Sequence, residues 1–229
     1  MANAVLVREY GEPPVSMAEI LRYAGANGGT PEETLRLAEE CLDAARGQLS
    51  YRVCWREFPV FRDAGRLDLG FARVDSTSLA RNLDGCDAVV LFAATVGIGI
   101  DRLIARSEAA SPARALMLQA VGAERIEALC DAFCRDISAR EAALGRAARP
   151  RFSPGYGDLP IELQRDVFRV LECARWIGLT LNESLMMSPT KSVTAIVGLG
   201  CGAAQDDAGC RACGKIDCLY RKERGHENH

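Results

Sequence analysis

Seven consecutive apolar residues, Ala88-Val89-Val90-Leu91-Phe92-Ala93-Ala94, set the strongest constraint on how this chain folds. A short, unbroken run of this kind reads as a central strand buried on both faces. Such a strand needs cover on each side. Ser111-Pro112 opens the longest helix, which reaches Leu144 before Gly145. Its buried stripe is read as Leu116, Ala123, Ile126, Cys130, Phe133 and Ile137, at helical steps. Glu124, Glu127 and Asp131 form an acidic row beside that stripe, either a solvated flank or the wall of a polar pocket. Cys130 and Cys134 read as small core thiols.

The remaining segments fall around this pair. Ser16-Met17-Ala18-Glu19 is a capping box whose helix ends at Gly25. Thr30-Pro31-Glu32-Glu33 repeats the device, and Gly47 follows that helix. Residues 50–62 mix β-branched and aromatic side chains and read as a strand, with 66–74 as a partner. Ser76–Leu83 fits a short helix, and the glycines at 97 and 99 turn the chain into another. A helix is expected from Pro160 to Ile177, ended by Gly178, and a strand over Ser192–Val197. Helices and strands mix without regular βαβ alternation, so the fold class is α+β.

Composition excludes several chemistries. The 229 residues carry a net charge of −3, with no basic cluster to mark a nucleic-acid binder. No apolar run approaches a membrane span, and the N-terminus shows no secretion signal. Ten cysteines without such a signal imply a reducing, cytoplasmic setting with thiols or metal ligands rather than disulfides. The two histidines, His226 and His229, lie in a polar tail, which excludes a Ser-His-Asp constellation inside the fold. The D-x-H-x-x-G signature of corrinoid-binding modules is also missing. Gly198-Leu199-Gly200-Cys201-Gly202 imitates a nucleotide-binding turn, but too little chain follows it to build the necessary βα units.

The segment 151–160, RFSPGYGDLP, carries the most chemistry. Its prolines and glycines fix a rigid loop with defined backbone donors and acceptors. Arg151 offers a planar fork that matches a carboxylate. Tyr156 offers a ring face and a hydroxyl. By itself the segment reads equally as a structured turn with a surface ion pair. The residues Arg151-Phe152-Ser153-Pro154-Gly155-Tyr156, then Gly178-Leu179-Thr180-Leu181-Asn182-Glu183-Ser184, Met187-Ser188-Pro189 and Ser192-Val193 stand in a specific order. In that order they resemble the S-adenosylmethionine-binding activation domain of cobalamin-dependent methionine synthase. The resemblance covers roughly residues 15–200.

The resemblance implies a twisted, antiparallel-rich sheet with flanking helices over residues 1–200. It implies S-adenosylmethionine as cofactor, with Arg151 on the methionine carboxylate, the backbone of Pro154 and Gly155 at the adenine, and Tyr156 near the reactive part. Glu124 or Glu127 supplies the family's acidic residue from the preceding helix, while the N-terminal aspartate of the family has no counterpart. The implied function, in methionine biosynthesis, is reductive methylation of cobalamin on a separate methionine synthase or other corrinoid methyltransferase. It draws on an electron donor such as flavodoxin or ferredoxin, and the chain is inactive as a methyltransferase alone. The alternative is a non-catalytic, metal-stabilised adaptor that docks on a corrinoid protein.

Residues 201–229 form a separate cysteine-rich tail. Cys201, Cys210, Cys213 and Cys218 place four thiols within 18 residues, separated by glycines. Four ligands suit tetrahedral zinc or an iron–sulfur cluster, and spacing alone does not separate the two.

Overall fold

The computed structural model describes residues 4–26, 31–63 and 66–201. Five strands form the main sheet: β1 (Leu6–Tyr10), β2 (Tyr51–Pro59), β6 (Cys86–Thr95), β10 (Ser192–Gly200) and β7 (Ala147–Ala148), in that spatial order. Every adjacent pair is antiparallel. Strand β6, which contains the apolar run, lies at the centre. Its side chains alternate, as pleating requires. Val90, Phe92 and Ala94 join one core cluster with α2 (Glu32–Ala45), α4 (Gly99–Glu108) and α5 (Pro112–Ala143). Val89, Leu91 and Ala93 join a second cluster with α3 (Thr77–Asn82), α6 (Gln164–Leu171) and α7 (Cys173–Ile177). The strand is buried on both faces because helices cover both, although the sheet is antiparallel.

Helix α5 crosses one face of the sheet. Its inner row is Leu118, Gly122, Ile126, Leu129, Phe133 and Ile137, all buried. Leu116 is not part of it: the side chain is 56% exposed. The expected stripe began on the wrong side of the helix, because α1 (Met17–Tyr23), α2 and α4 pack against α5 as well and widen its apolar arc. Cys41, Cys54, Cys86, Cys130 and Cys173 are buried free thiols, and Cys134 is half-buried.

Three local expectations change. Residues 66–74 do not pair with β2. Instead β4 (Arg66–Asp68) sits between β3 (Phe61–Asp63) and β5 (Arg73–Val74) in a separate three-stranded sheet. Pro59, which has no N–H to give, ends β2, and an Asp68 carboxylate accepting from the Gly70 N–H turns the chain between β4 and β5. The helix expected over 160–177 is broken. A 3₁₀ turn at Ile161–Leu163 leads into α6, and Glu172, in the left-handed region at φ 48°, separates α6 from α7. Thr30 lies outside the described residues, and α2 starts after Pro31 with no side-chain cap. A two-stranded ribbon of β8 (Thr180–Leu181) and β9 (Met187–Ser188) completes the elements among the described residues. No described helix is long and apolar enough to cross a membrane.

Candidate functional site

The chain leaves α5, forms the two-residue edge strand β7 and continues along β10. Arg149 donates its backbone N–H to Gly198 O, and Phe152 and Ile196 exchange both backbone hydrogen bonds. This edge pairing fixes the direction of each side chain. Phe152 turns into the second core cluster, and Arg151 reaches α5. There one guanidinium nitrogen donates to Asp131 Oδ1 and the other to Glu127 Oε2, each at 2.5 Å. Burial opposes the charge on Arg151, but the adjacent Glu127 and Asp131 carboxylates more than offset it, so its pKa is raised. Burial pushes the Cys130 thiol well up, so it is neutral at pH 7 and the carboxylates supply the attraction.

Beyond Phe152 the loop is tied by short backbone bonds. Tyr156 N–H donates to Ser153 O, Gly155 N–H to Leu159 O, and Leu159 N–H to Tyr156 O. Gly155 takes φ +85°, and a Cβ there would lie 2.9 Å from Ile161 Cδ1, so both conformation and space demand glycine. Pro154 is buried. Tyr156 is 53% exposed and meets the Phe152 ring edge-on at 5.3 Å.

A cavity of about 410 Å³, within the size range of small-molecule sites, is lined by the two carboxylates that hold Arg151, Glu127 and Asp131. Its walls come from Pro13, Pro14, Ser16, Glu19 and Tyr23 on the N-terminal side, and from Glu124, Glu127, Ala128, Asp131 and Arg135 of α5. The acidic row is therefore a pocket wall. Its members differ in kind. Glu124 is 3% exposed and already satisfied: it accepts from the Ser16 N–H and from Arg125 through both oxygens. Arg125 is fully buried and also donates to the carbonyls of Pro13 and Pro14. Glu127 and Asp131 are half-exposed and face Arg151.

Of the residues picked out from the sequence, the structure brings Arg151 and Glu127 together. Glu124 lines the cavity as a framework group, whereas Pro154, Gly155 and Tyr156 follow Arg151 in its loop and are not among the residues that line it. Sequence reasoning missed the N-terminal wall. The capping box disguised it: Ser16 Oγ does accept from Glu19 N–H, but the Ser16 N–H goes to Glu124, and the Glu19 carboxylate turns to Arg22. The Pro13-Pro14 pair, which holds two carbonyls in fixed directions, was the available signal. Cys201 is exposed just after β10, while Cys210, Cys213 and Cys218 lie outside the described residues. Among the described residues no group of three or more histidine, cysteine or acidic side chains is placed to hold a metal.

The half-exposed carboxylates of the cavity wall can face positive groups of a ligand, while Arg151, a five-donor fork, gives two of its N–H groups to them. A larger depression of about 600 Å³ next to α6, α7 and β8 is lined by Arg165, Arg169 and Arg175. Those guanidinium groups are engaged by Glu183 O, Asp166 and Glu172 respectively.

Comparison with known proteins follows the same direction. No curated protein matches the chain. Among solved structures, the MetH reactivation domain bound to AdoHcy matches with a TM-score of 0.57 and 17% identity, over 85% of this chain and 78% of that one. At that identity the likeness establishes the fold. The family model described as vitamin B12 dependent methionine synthase, activation domain, matches residues 78–217, a span that includes α5, Arg151 and its loop, and β10. The chain belongs to the family of vitamin B12-dependent methionine synthase activation domains.

Proposed function

We propose that the chain binds S-adenosylmethionine between α5 and the N-terminal segment, and presents it to the cobalamin of a separate methionine synthase or related corrinoid methyltransferase. The observation that carries this reading is the double ion pair of Arg151 with Glu127 and Asp131, two carboxylates that line the 410 Å³ cavity. Bound there, S-adenosylmethionine would supply a methyl group to the partner's cobalamin, reduced by one electron from a flavodoxin- or ferredoxin-type donor, and would leave as S-adenosylhomocysteine. The chain's own contribution is orientation. Arg151 takes the amino-acid carboxylate, Glu127 and Asp131 balance positive charge, and the 153–157 backbone sets the far end of the ligand. No proton transfer is needed, so a site without histidine suffices. The cysteine tail from residue 201 adds a metal centre, zinc or iron–sulfur, in this reading.

Calorimetry tests the proposal. Wild-type protein should bind S-adenosylmethionine, and Arg151→Ala should lose about 1.5–3 kcal/mol, the scale of a hydrogen bond to a charged group. Unchanged affinity in the variant defeats the assignment. The double ion pair of Arg151 favours one other reading, in which that arginine is a structural tie and the chain is an adaptor docking on a corrinoid protein. That reading requires capture of the corrinoid protein with no binding of S-adenosylmethionine.

A further inference from the structure

We propose that Asp158 is a positioning residue for the 151–157 loop, locking it to helix α3 so that its backbone is held ready for the ligand. The inference rests on the reading of that loop as the S-adenosylmethionine site.

The geometry is a clamp at both ends of the loop. Asp158 Oδ1 accepts from Ser76 Oγ at 2.5 Å and from Ser78 N–H at 3.1 Å, and Oδ2 accepts from Thr77 N–H at 2.8 Å. At the other end, Asn82 Nδ2 donates to Pro150 O at 3.1 Å. Helix α3 thus touches the chain on either side of the loop. Between these points Gly157 lies so close that a Cβ would sit 2.9 Å from Ser78 Oγ. Leu79 of α3 and Leu159 of the loop are both buried in the second core cluster, which seats the unit on the sheet.

Helix α3 needs this partner. A helix of six residues is too short to persist alone, and its first N–H groups have no intrahelical acceptors. The N-cap Ser76 Oγ accepts from Leu79 N–H. That leaves the N–H groups of Thr77 and Ser78, and Asp158 takes both. The hydrogen bonds are charge-assisted, which makes them stronger than neutral ones. They also hold the carboxyl below its ordinary range, with the Ser76 hydroxyl contributing most. The loop's own bonds close only short turns, so its placement over the sheet depends on the Phe152 bridge at one end and Asp158 at the other. A loop fixed before binding loses less conformational freedom when it binds.

The test uses the full chain with S-adenosylmethionine as probe. In Asp158→Ala, affinity should fall about tenfold, the effect of losing one hydrogen bond to a charged group. The thermal midpoint should fall modestly at neutral pH and converge with wild type in acid, because α3 loses its N–H acceptor while both core clusters stay packed. Amide hydrogen exchange should speed up at Gly155, Tyr156 and Leu159. Asp158→Asn keeps one acceptor oxygen and should recover part of both losses. The double variant Ser76→Ala/Asp158→Ala should bind no worse than Asp158→Ala, since both act on one clamp. Wild-type affinity in Asp158→Ala overturns the inference, as does unchanged exchange in the loop. Should Asp158→Ala not fold, Asp158→Asn and Ser76→Ala carry the same expectations at smaller size. Failure of the wild-type chain to bind S-adenosylmethionine is a different result: it defeats the parent reading of the site and this inference with it.

Discussion

Single residues in this site do separable work, and two of them can be told apart by what breaks when they change. Glu124 and Glu127 are a helical turn apart and were interchangeable candidates in the sequence. Burial separates them: Glu124 faces a fully buried Arg125, whereas Glu127 stands half-exposed against Arg151. Removing one partner of a buried pair leaves an uncompensated charge, so Glu124→Ala should cost about 3–5 kcal/mol of stability in urea unfolding. Glu127→Ala should leave unfolding nearly unchanged and weaken ligand binding instead. A second contrast concerns pH. The Asp158 carboxyl, with its ordinary value at 3.8, is lowered to about 2 in the folded chain, chiefly by the Ser76 hydroxyl and the backbone N–H groups of α3. A depressed folded value favours folding where the unfolded group is ionised. The contribution is therefore full above pH 4 and fades as pH falls through 4 toward 2. The stability gap between wild type and Asp158→Ala should close over that interval in acid melts. Arg151 was legible because its motif is local. Its partner Asp131 and the cavity residue Glu19 were less so, because a carboxylate on a helix looks the same on a solvated flank and on a pocket wall.

At the scale of elements, long and strongly patterned segments were legible, and short ones bent to their neighbours. The apolar run over 88–94 became β6, and Ser111-Pro112 opened α5 with Ser111 Oγ accepting from Arg114 N–H. The alternating residues at 66–74 had the right pattern for a strand but no edge of β2 to join, since β1 and β6 occupy both. The break at Glu172 has no glycine or proline to announce it, so periodicity carried the expected helix through it. The glycines before α4 show the opposite case, in which a small residue does reveal a close approach. A Cβ on Gly99 would stand 1.9 Å from the carbonyl oxygen of Gln48, a backbone atom that cannot swing aside. Gly99→Ala should therefore shift α4 and cost about 1–3 kcal/mol or more, as overpacking does. Chemical denaturation of the single variant checks it.

For the whole molecule, the α+β class followed from the order of elements, and the sheet order β1-β2-β6-β10-β7 did not, because antiparallel neighbours distant in sequence leave no local mark. In the proposed chemistry the corrinoid is carried by a separate protein. The purified chain should release no methyl group from S-adenosylmethionine unless a reduced corrinoid protein is added, and turnover without one would contradict the proposal. For the tail, anaerobically purified protein should hold one metal centre, by the four-thiol spacing of Cys201, Cys210, Cys213 and Cys218. Elemental analysis of Cys213→Ser should show it lost. One feature of the cavity governs when it can come into being. Its N-terminal wall meets α5 through Ser16 and Glu124, 108 positions apart, and through Pro13 and Arg125, 112 apart. A growing polypeptide on the ribosome therefore makes one half of the pocket long before the other half exists. Until α5 emerges, Pro13–Tyr23 has nothing to close upon, and a large loop-closure entropy must then be overcome in one event. Nascent chains halted ahead of residue 124 should be unable to capture the ligand, however well their first strands have paired.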